Sequence, residues 1–303
     1  APSGRRSVCR VFRAGCFPCG AASAEATRIS PSGREAKPSA VGFPPAVHES
    51  NALPGKAIMQ VRHRVDRIFI NFPETADRLN LTGRERDRII RVGNPILPGF
   101  GAVSRADARK QLGLAPDEVS VLAFGGSLGA ERLNDALVAL AERVARDLPH
   151  VTLTFAAGKR DYDRTAANLK GSDAAGCPRV SLLDYIYDMP VRMAAADLVV
   201  SRAGAMTVSE LSLLGKAAVL VPSPYVADNH QLRNAQALVR AGAGVCVEED
   251  GLPGGALERA VLPLLAQSAE RAAMGQRLQE GFACPDANER LCGELLRLAR
   301  GQA

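Results

Sequence analysis

The chain has 303 residues, 47% of them hydrophobic and 23% charged, with no tryptophan and only 4% aromatics. Its formal net charge is +6, but residues 1–45 carry seven basic and two acidic side chains, so the other 258 residues are nearly neutral. That distribution excludes a protein that coats nucleic acid with a basic surface. No run approaches the 18 or more apolar residues of a membrane helix; the stretch from Ala217 to Ala227 is short and broken by Pro222 and Pro224. Seven scattered cysteines, an odd number, imply no disulfide framework, and the Cys16/Cys19 pair has no second pair to complete a metal site.

Residues 1–45 show no strand or helix period, and 25 of them are Ala, Gly, Ser or Pro. A disordered tail, an Arg- and Ser-rich organelle transit peptide and an out-of-frame stretch of a GC-rich gene all fit this composition. From residue 46 the text changes. Arg67–Phe72 and Arg88–Val92 read as short strands, and the Pro/Gly stretch after Gly93-Asn94-Pro95 reads as a linker. A regular alternation follows. Strands are expected at 119–124, 151–155, 179–183, 198–201, 218–221 and 244–247, with helices at 131–146, 162–169, 190–195, 206–214, 231–241 and 255–265. Alternation of this kind predicts crossover units around a doubly wound parallel sheet over residues 100–283. Two terminal helices, 271–281 and 287–300, complete the expectation.

Ligands of such sheets sit at the carboxyl ends of the strands. The first candidate there is Gly125-Gly126-Ser127-Leu128-Gly129-Ala130, which has neither a phosphate-loop Gly-Lys-Ser/Thr nor the dinucleotide glycine spacing. A plain tight turn and a phosphate-approach loop fit it equally. The second is Ser201-Arg202-Ala203-Gly204-Ala205-Met206-Thr207-Val208-Ser209-Glu210. A strand runs through small residues into a helix, which leaves backbone N–H groups for a diphosphate, while Glu210 is one turn in, within reach of sugar hydroxyls. Capping by Ser201 and Thr207 is the plainer alternative. The third is Asp228-Asn229-His230-Gln231, and the fourth is His48-Glu49-Ser50-Asn51. No metal spacing occurs in any of them.

In combination, the GGSLGA, RAGAMTVSE, DNHQLRNA and HESNALPG segments resemble the MurG family of bacterial cell-wall glycosyltransferases over residues 46 to about 300. The resemblance implies a GT-B architecture, α/β, with residues 46–99 as an incomplete N-terminal Rossmann-like acceptor-side domain. Residues 100–283 would be a complete UDP-sugar-binding domain and 284–303 a C-terminal helix. It implies transfer of N-acetylglucosamine from UDP-N-acetylglucosamine to lipid I, giving lipid II, with inversion, no metal and no cofactor. It also implies a cytoplasmic protein held peripherally on the inner face of the membrane. It assigns Ser127 and the segment Ala205, Met206, Thr207, Val208 and Ser209 to the diphosphate, Ile186 to the uracil through its backbone, and Glu210 to the ribose. Gln231 would meet the N-acetylglucosamine and Asn51 would reach the donor from the N-terminal side, with His48, Glu49, Gly126 and His230 in support. The family's N-terminal GGTGGH-type loop, whose histidine is a candidate general base, does not occur in these 303 residues, and the family's arginine after the GNP turn falls at Leu97. The catalytic base is therefore unassigned. A partner-dependent UDP-sugar-binding half is the alternative, and a glycolipid synthase using another UDP-sugar is a further one.

Overall fold

All strand pairings are parallel, and they build two sheets. The computed structural model describes residues 44–126 and 129–301. The Cys16/Cys19 pair, the basic N-terminal segment and Ser127 lie outside the described residues.

The first sheet takes β1 (Ala46–Glu49), β2 (Arg67–Ile70) and β3 (Ile89–Arg91) in the order β1-β2-β3. Helices α1 (Lys56–Val61) and α2 (Thr75–Arg78) fill its crossovers. His48 and Glu49, which stand out in the sequence only as a polar motif, are the last two residues of β1. Four residues with a charged end carry too little apolar pattern to announce a strand.

After α3 (Arg105–Gln111), capped by the Ser104 hydroxyl accepting from the Asp107 amide, the second sheet begins. Its strands are β4 (Val119–Phe124), β5 (Val151–Ala156), β6 (Val180–Leu183), β7 (Leu198–Ser201), β8 (Ala218–Leu220) and β9 (Val245–Cys246), in the order β6-β5-β4-β7-β8-β9. Between them run α4 (Glu131–Asp147), α5 (Tyr162–Lys170), α6 (Met189–Ala195), α7 (Ala205–Leu214) and α8 (His230–Arg240). The expected doubly wound sheet is present, with boundaries moved by a residue or two.

Alternation along β4 explains the two cores. Val121 and Ala123 face α4, whose Leu133, Leu137, Leu140 and Val144 recur at helical spacing. Leu122 and Phe124 face the other way, onto Met193 of α6, Val208 and Leu211 of α7 and Ala235 of α8. After α9 (Ala256–Ala266), α10 (Ser268–Phe282) crosses α7, and α11 (Ala287–Ala299) returns to the first sheet. There Leu291 and Leu298 cover Phe69, Val92, Ala46 and Ile90. The last helix is thus structurally part of the first sheet's unit.

The α7–α10 crossing depends on two glycines. Gly215 ends α7 in the left-handed region at φ 58°, and its carbonyl lies 2.1 Å from where a β-carbon on Gly275 would stand. A Gly275→Ala variant must push two packed helices apart. Overpacking of this kind costs about 1–3 kcal/mol, and a drop in melting temperature of roughly 5–10 °C is expected by scanning calorimetry. An unchanged melting temperature would show that the crossing yields freely.

Candidate active site at the facing strand ends

The chain runs outward from β4 through β5 to β6, then crosses back to β7 beside β4 and runs the other way. The reversal opens a crevice between the carboxyl ends of β4 and β7, where α/β sheets bind ligands. The loops after these strands are Gly125–Ala130 and Arg202–Gly204. Gly126 and Gly129 both adopt positive φ, at 95° and 81°. At Gly129 a β-carbon would stand 2.4 Å from the Ala157 carbonyl oxygen, so glycine lets this loop lie against the end of β5.

At α7, Gly204 is the extended N-cap and no side chain caps the helix. The first intrahelical bond runs from the Val208 amide to the Gly204 carbonyl, 2.9 Å. The amides of Ala205, Met206 and Thr207 therefore have no partner among the described residues. Unpaired amides at a helix N-terminus, reinforced by the helix dipole, form an anion seat. Met206 is exposed and Val208 is buried in the core. The Ser209 hydroxyl turns inward. It donates to Ala205 O at 3.0 Å, with Asn71 Oδ1 at 3.4 Å the alternative acceptor for the same hydrogen, and accepts from Asn94 Nδ2 at 3.0 Å. That side chain joins the two sheets' units.

Glu210 has no hydrogen bond or ion pair among the described residues. Burial without a compensating cation pushes its carboxyl up to about 7. An unpaired, partly buried carboxylate is costly for folding alone, which marks it as a group kept for a ligand.

The first sheet presents its own carboxyl ends to this seat. Glu49, 5% exposed, accepts from the Asn51 amide at 2.9 Å, Asn51 Nδ2 at 3.3 Å and the Gly55 amide at 2.7 Å. His48 engages both ring nitrogens, Nε2 with Gly93 O at 2.8 Å and Nδ1 with Ser50 Oγ at 3.3 Å. Both side chains shape the loop that carries Asn51. Asn51 Oδ1 in turn accepts from Asn234 Nδ2 of α8 at 3.1 Å. Asn94, after β3, donates to Ala205 O and Ser209 Oγ.

Two further loops follow the carboxyl ends of β6 and β8. The Ile186 side chain is buried, which anchors the turn after β6. Its neighbours Tyr185 and Tyr187 stack edge to face at 4.9 Å, and the Lys159 ammonium stands 5.9 and 5.8 Å from their ring centroids. Before α8, Asp228 and Asn229 both take positive φ, 52° and 50°, a strained pair that these two residue types tolerate best. His230 bonds Ala227 O at 2.9 Å. Gln231 Oε1 accepts from the Ser223 amide at 2.9 Å, which leaves its NH2 group for a ligand.

A cavity of about 600 Å³ opens beside these loops, lined by Gly126 and Gln231 among others. Glu210, Ile186 and Ala205–Thr207 do not line it. Arg202 points into it yet is held by an ion pair to the buried Glu249 at 2.5 Å and by Val221 O at 3.1 Å. The structure thus brings Ala205 and Ser209 to the same seam as Asn51, His48 and Glu49, sets Glu210 one turn further along α7, and places Gly126 and Gln231 at the adjoining cavity. Leu97 is 74% exposed on the connecting segment. Sequence reading missed Asn71, Asn94 and Asn234. Asn234 alone left a signal, as a polar residue on the apolar face of a helix, four positions before Leu238.

Two parallel sheets facing each other by their carboxyl ends, with an anion seat in one, define a GT-B-type α/β protein. The model of the glycosyltransferase family 28 C-terminal domain matches residues 120–291. A UDP-N-acetylglucosamine–N-acetylmuramyl-(pentapeptide) pyrophosphoryl-undecaprenol N-acetylglucosamine transferase of Acetivibrio thermocellus is 43% identical over 210 residues, 69% of this chain and 55% of that protein. One of the same description from Lacticaseibacillus casei is 35% identical over 256 residues, 84% of this chain and 67% of that one. The crystal structure of Acinetobacter baumannii MurG superposes with a TM-score of 0.65 at 24% identity, covering 85% of this chain and 67% of that one, a likeness of fold. The chain belongs to the MurG family of glycosyltransferases. It spans between about half and two thirds of the length of these relatives.

Proposed function

We propose that the chain binds UDP-N-acetylglucosamine and transfers its sugar to lipid I, forming lipid II. The observation that carries this reading is the open amide turn Ala205–Thr207 one helical turn before the unpaired Glu210 carboxylate. The diphosphate takes the turn, and Glu210 accepts both ribose hydroxyls. The Ile186 backbone meets the uracil, and Ser127 of the glycine loop approaches the diphosphate. Asn51 and Gln231 offer amide groups to the sugar, with His230 and Gly126 beside them. In the transfer, an acceptor hydroxyl gives its proton to a general base and attacks the anomeric carbon from the face opposite UDP. The bond to the β-phosphate oxygen breaks and its electron pair leaves on UDP. The α7 N-terminus stabilises the charge that grows there. His48 and Glu49 are spent on internal hydrogen bonds and hold the Asn51 loop.

The acceptor carries a polyprenyl chain, so peripheral contact with the cytoplasmic membrane face belongs to the same proposal. Among the described residues no helix is long and apolar enough to cross a membrane. A second reading, a UDP-sugar-binding half that needs a partner for the acceptor, is supported by the small first sheet, three strands among the described residues. A transfer assay with lipid I separates the two. Lipid II formation by the chain alone supports the first; donor binding without transfer supports the second.

The proposal has a pH signature. Glu210 must be ionised to accept two hydroxyl hydrogens, and its carboxyl titrates near 7. Below that pH the binding-competent fraction shrinks and the apparent dissociation constant rises in proportion. Affinity for UDP-N-acetylglucosamine is expected to fall about tenfold from pH 8 to pH 6, measured by titration calorimetry. A Glu210→Gln variant is expected to lose this dependence.

A further inference from the structure

The two sheets' units meet through packing of Phe72 on Phe282, the Arg240–Glu74 ion pair and asparagine side chains, and one of these asparagines uses both its amide oxygen and its amide nitrogen across the seam. Asn234 is fully buried. Its Oδ1 accepts from the Ala52 amide at 2.9 Å, and its Nδ2 donates to Asn51 Oδ1 and to Ala203 O, both at 3.1 Å. The Ala52 amide can only donate and the Ala203 carbonyl can only accept, so the orientation of the Asn234 amide is fixed. That orientation in turn fixes Asn51 Oδ1 as an acceptor. Asn51 Nδ2 is then left with one N–H on Glu49 Oε1 and one without a partner among the described residues. Ala203 immediately precedes Gly204, the N-cap of the α7 anion seat. One buried amide therefore links the α7 turn, the loop after β1 and helix α8.

We propose that Asn234, anchored on the Ala203 carbonyl, is a positioning residue that sets the Asn51 amide for the N-acetylglucosamine half of the donor. The inference rests on the donor-binding reading above. It assigns selectivity for the sugar, as distinct from the uridine diphosphate, to a side chain that touches neither.

Calorimetric titration of the full chain with UDP and with UDP-N-acetylglucosamine tests it. Asn234→Ala is expected to weaken UDP-N-acetylglucosamine about tenfold and UDP less than twofold. Asn51→Ala is expected to give the same selective loss, and the double variant no more than the larger single one, because the two residues act as one unit. Equal losses for the two ligands, no loss for either, or additive losses in the double variant would overturn the coupling. Asn234→Ser, which keeps a small polar group, is the gentler second variant, with retained UDP binding as the check on folding. The unaltered chain offers an independent reading by hydrogen exchange. The Ala52 amide is expected to exchange more slowly with UDP-N-acetylglucosamine bound than with UDP bound, and equal protection contradicts the coupling. Failure of the unaltered chain to bind UDP-N-acetylglucosamine overturns the donor reading itself, and is distinct from unselective behaviour of the variants.

Discussion

Glu210→Ala is expected to weaken UDP-N-acetylglucosamine binding by about 100-fold while leaving the melting temperature unchanged or higher. The carboxylate has no partner among the described residues, so its removal costs the fold no hydrogen bond. Burial without a cation raises its carboxyl to about 7, so the charge is a burden on the empty protein. In the complex it would accept two hydroxyl hydrogens. Hydrogen bonds to a charged group contribute about 1.5–3 kcal/mol each, and a loss near 3 kcal/mol corresponds to a factor of about 100. Glu210→Gln keeps one oxygen acceptor in nearly the same shape and is expected to fall between the two. Calorimetry and a thermal melt on the same samples check both halves. A loss of melting temperature with little change in affinity would make Glu210 a structural residue.

Gly129→Ala is expected to lower the melting temperature by roughly 6–12 °C, whereas Gly126→Ala in the same loop lowers it by a few degrees. Both glycines have positive φ, a strain of about 1 kcal/mol or more for alanine. Only Gly129 also meets a hard obstacle. Its β-carbon would stand 2.4 Å from Ala157 O and 3.2 Å from Asp161 Cβ, while at Gly126 nothing lies within 4 Å. The obstacle is itself held, since Asn134 Nδ2 donates to Ala157 O at 3.0 Å and also bonds Asp161. Strain plus overpacking places the cost at about 3 kcal/mol. The displaced loop is also expected to weaken donor binding, because it borders the crevice between β4 and β7. Equal melting temperatures for the two variants would show that close approach to β5 does not govern this loop.

The parts of the fold that were legible in the sequence are those with a long apolar pattern. The run at β4 and the 3/4 spacing of Leu133, Leu137, Leu140 and Val144 in α4 set the doubly wound sheet without reference to anything distant. The short or polar elements were harder. β1 is four residues ending in His48-Glu49, and α3 is a polar helix whose buried members are Ala108 and Arg109. Arg109 is buried because its guanidinium reaches Asp197 Oδ2 at 3.0 Å and the Glu118 carbonyl at 2.8 Å, partners no local pattern reveals.

The candidate site divides in the same way. A strand, small residues and a helix start announced the α7 amides, because that arrangement is local. The inward turn of the Ser209 hydroxyl depends on Asn71 and Asn94, more than 100 positions away. The role of Asn234 depends on Asn51, 183 positions away. In the sequence the DNHQ cluster points to Gln231, and the asparagine three residues later shows only as a polar residue on an apolar helix face, with no sign of its distant partner. The basic N-terminal segment, which supplies most of the net charge, lies outside the described residues.

The most direct test of donor recognition is a calorimetric titration of the unaltered chain with UDP-N-acetylglucosamine at pH 8. Saturable binding of one ligand per chain is the expected result, and the absence of saturable binding contradicts it.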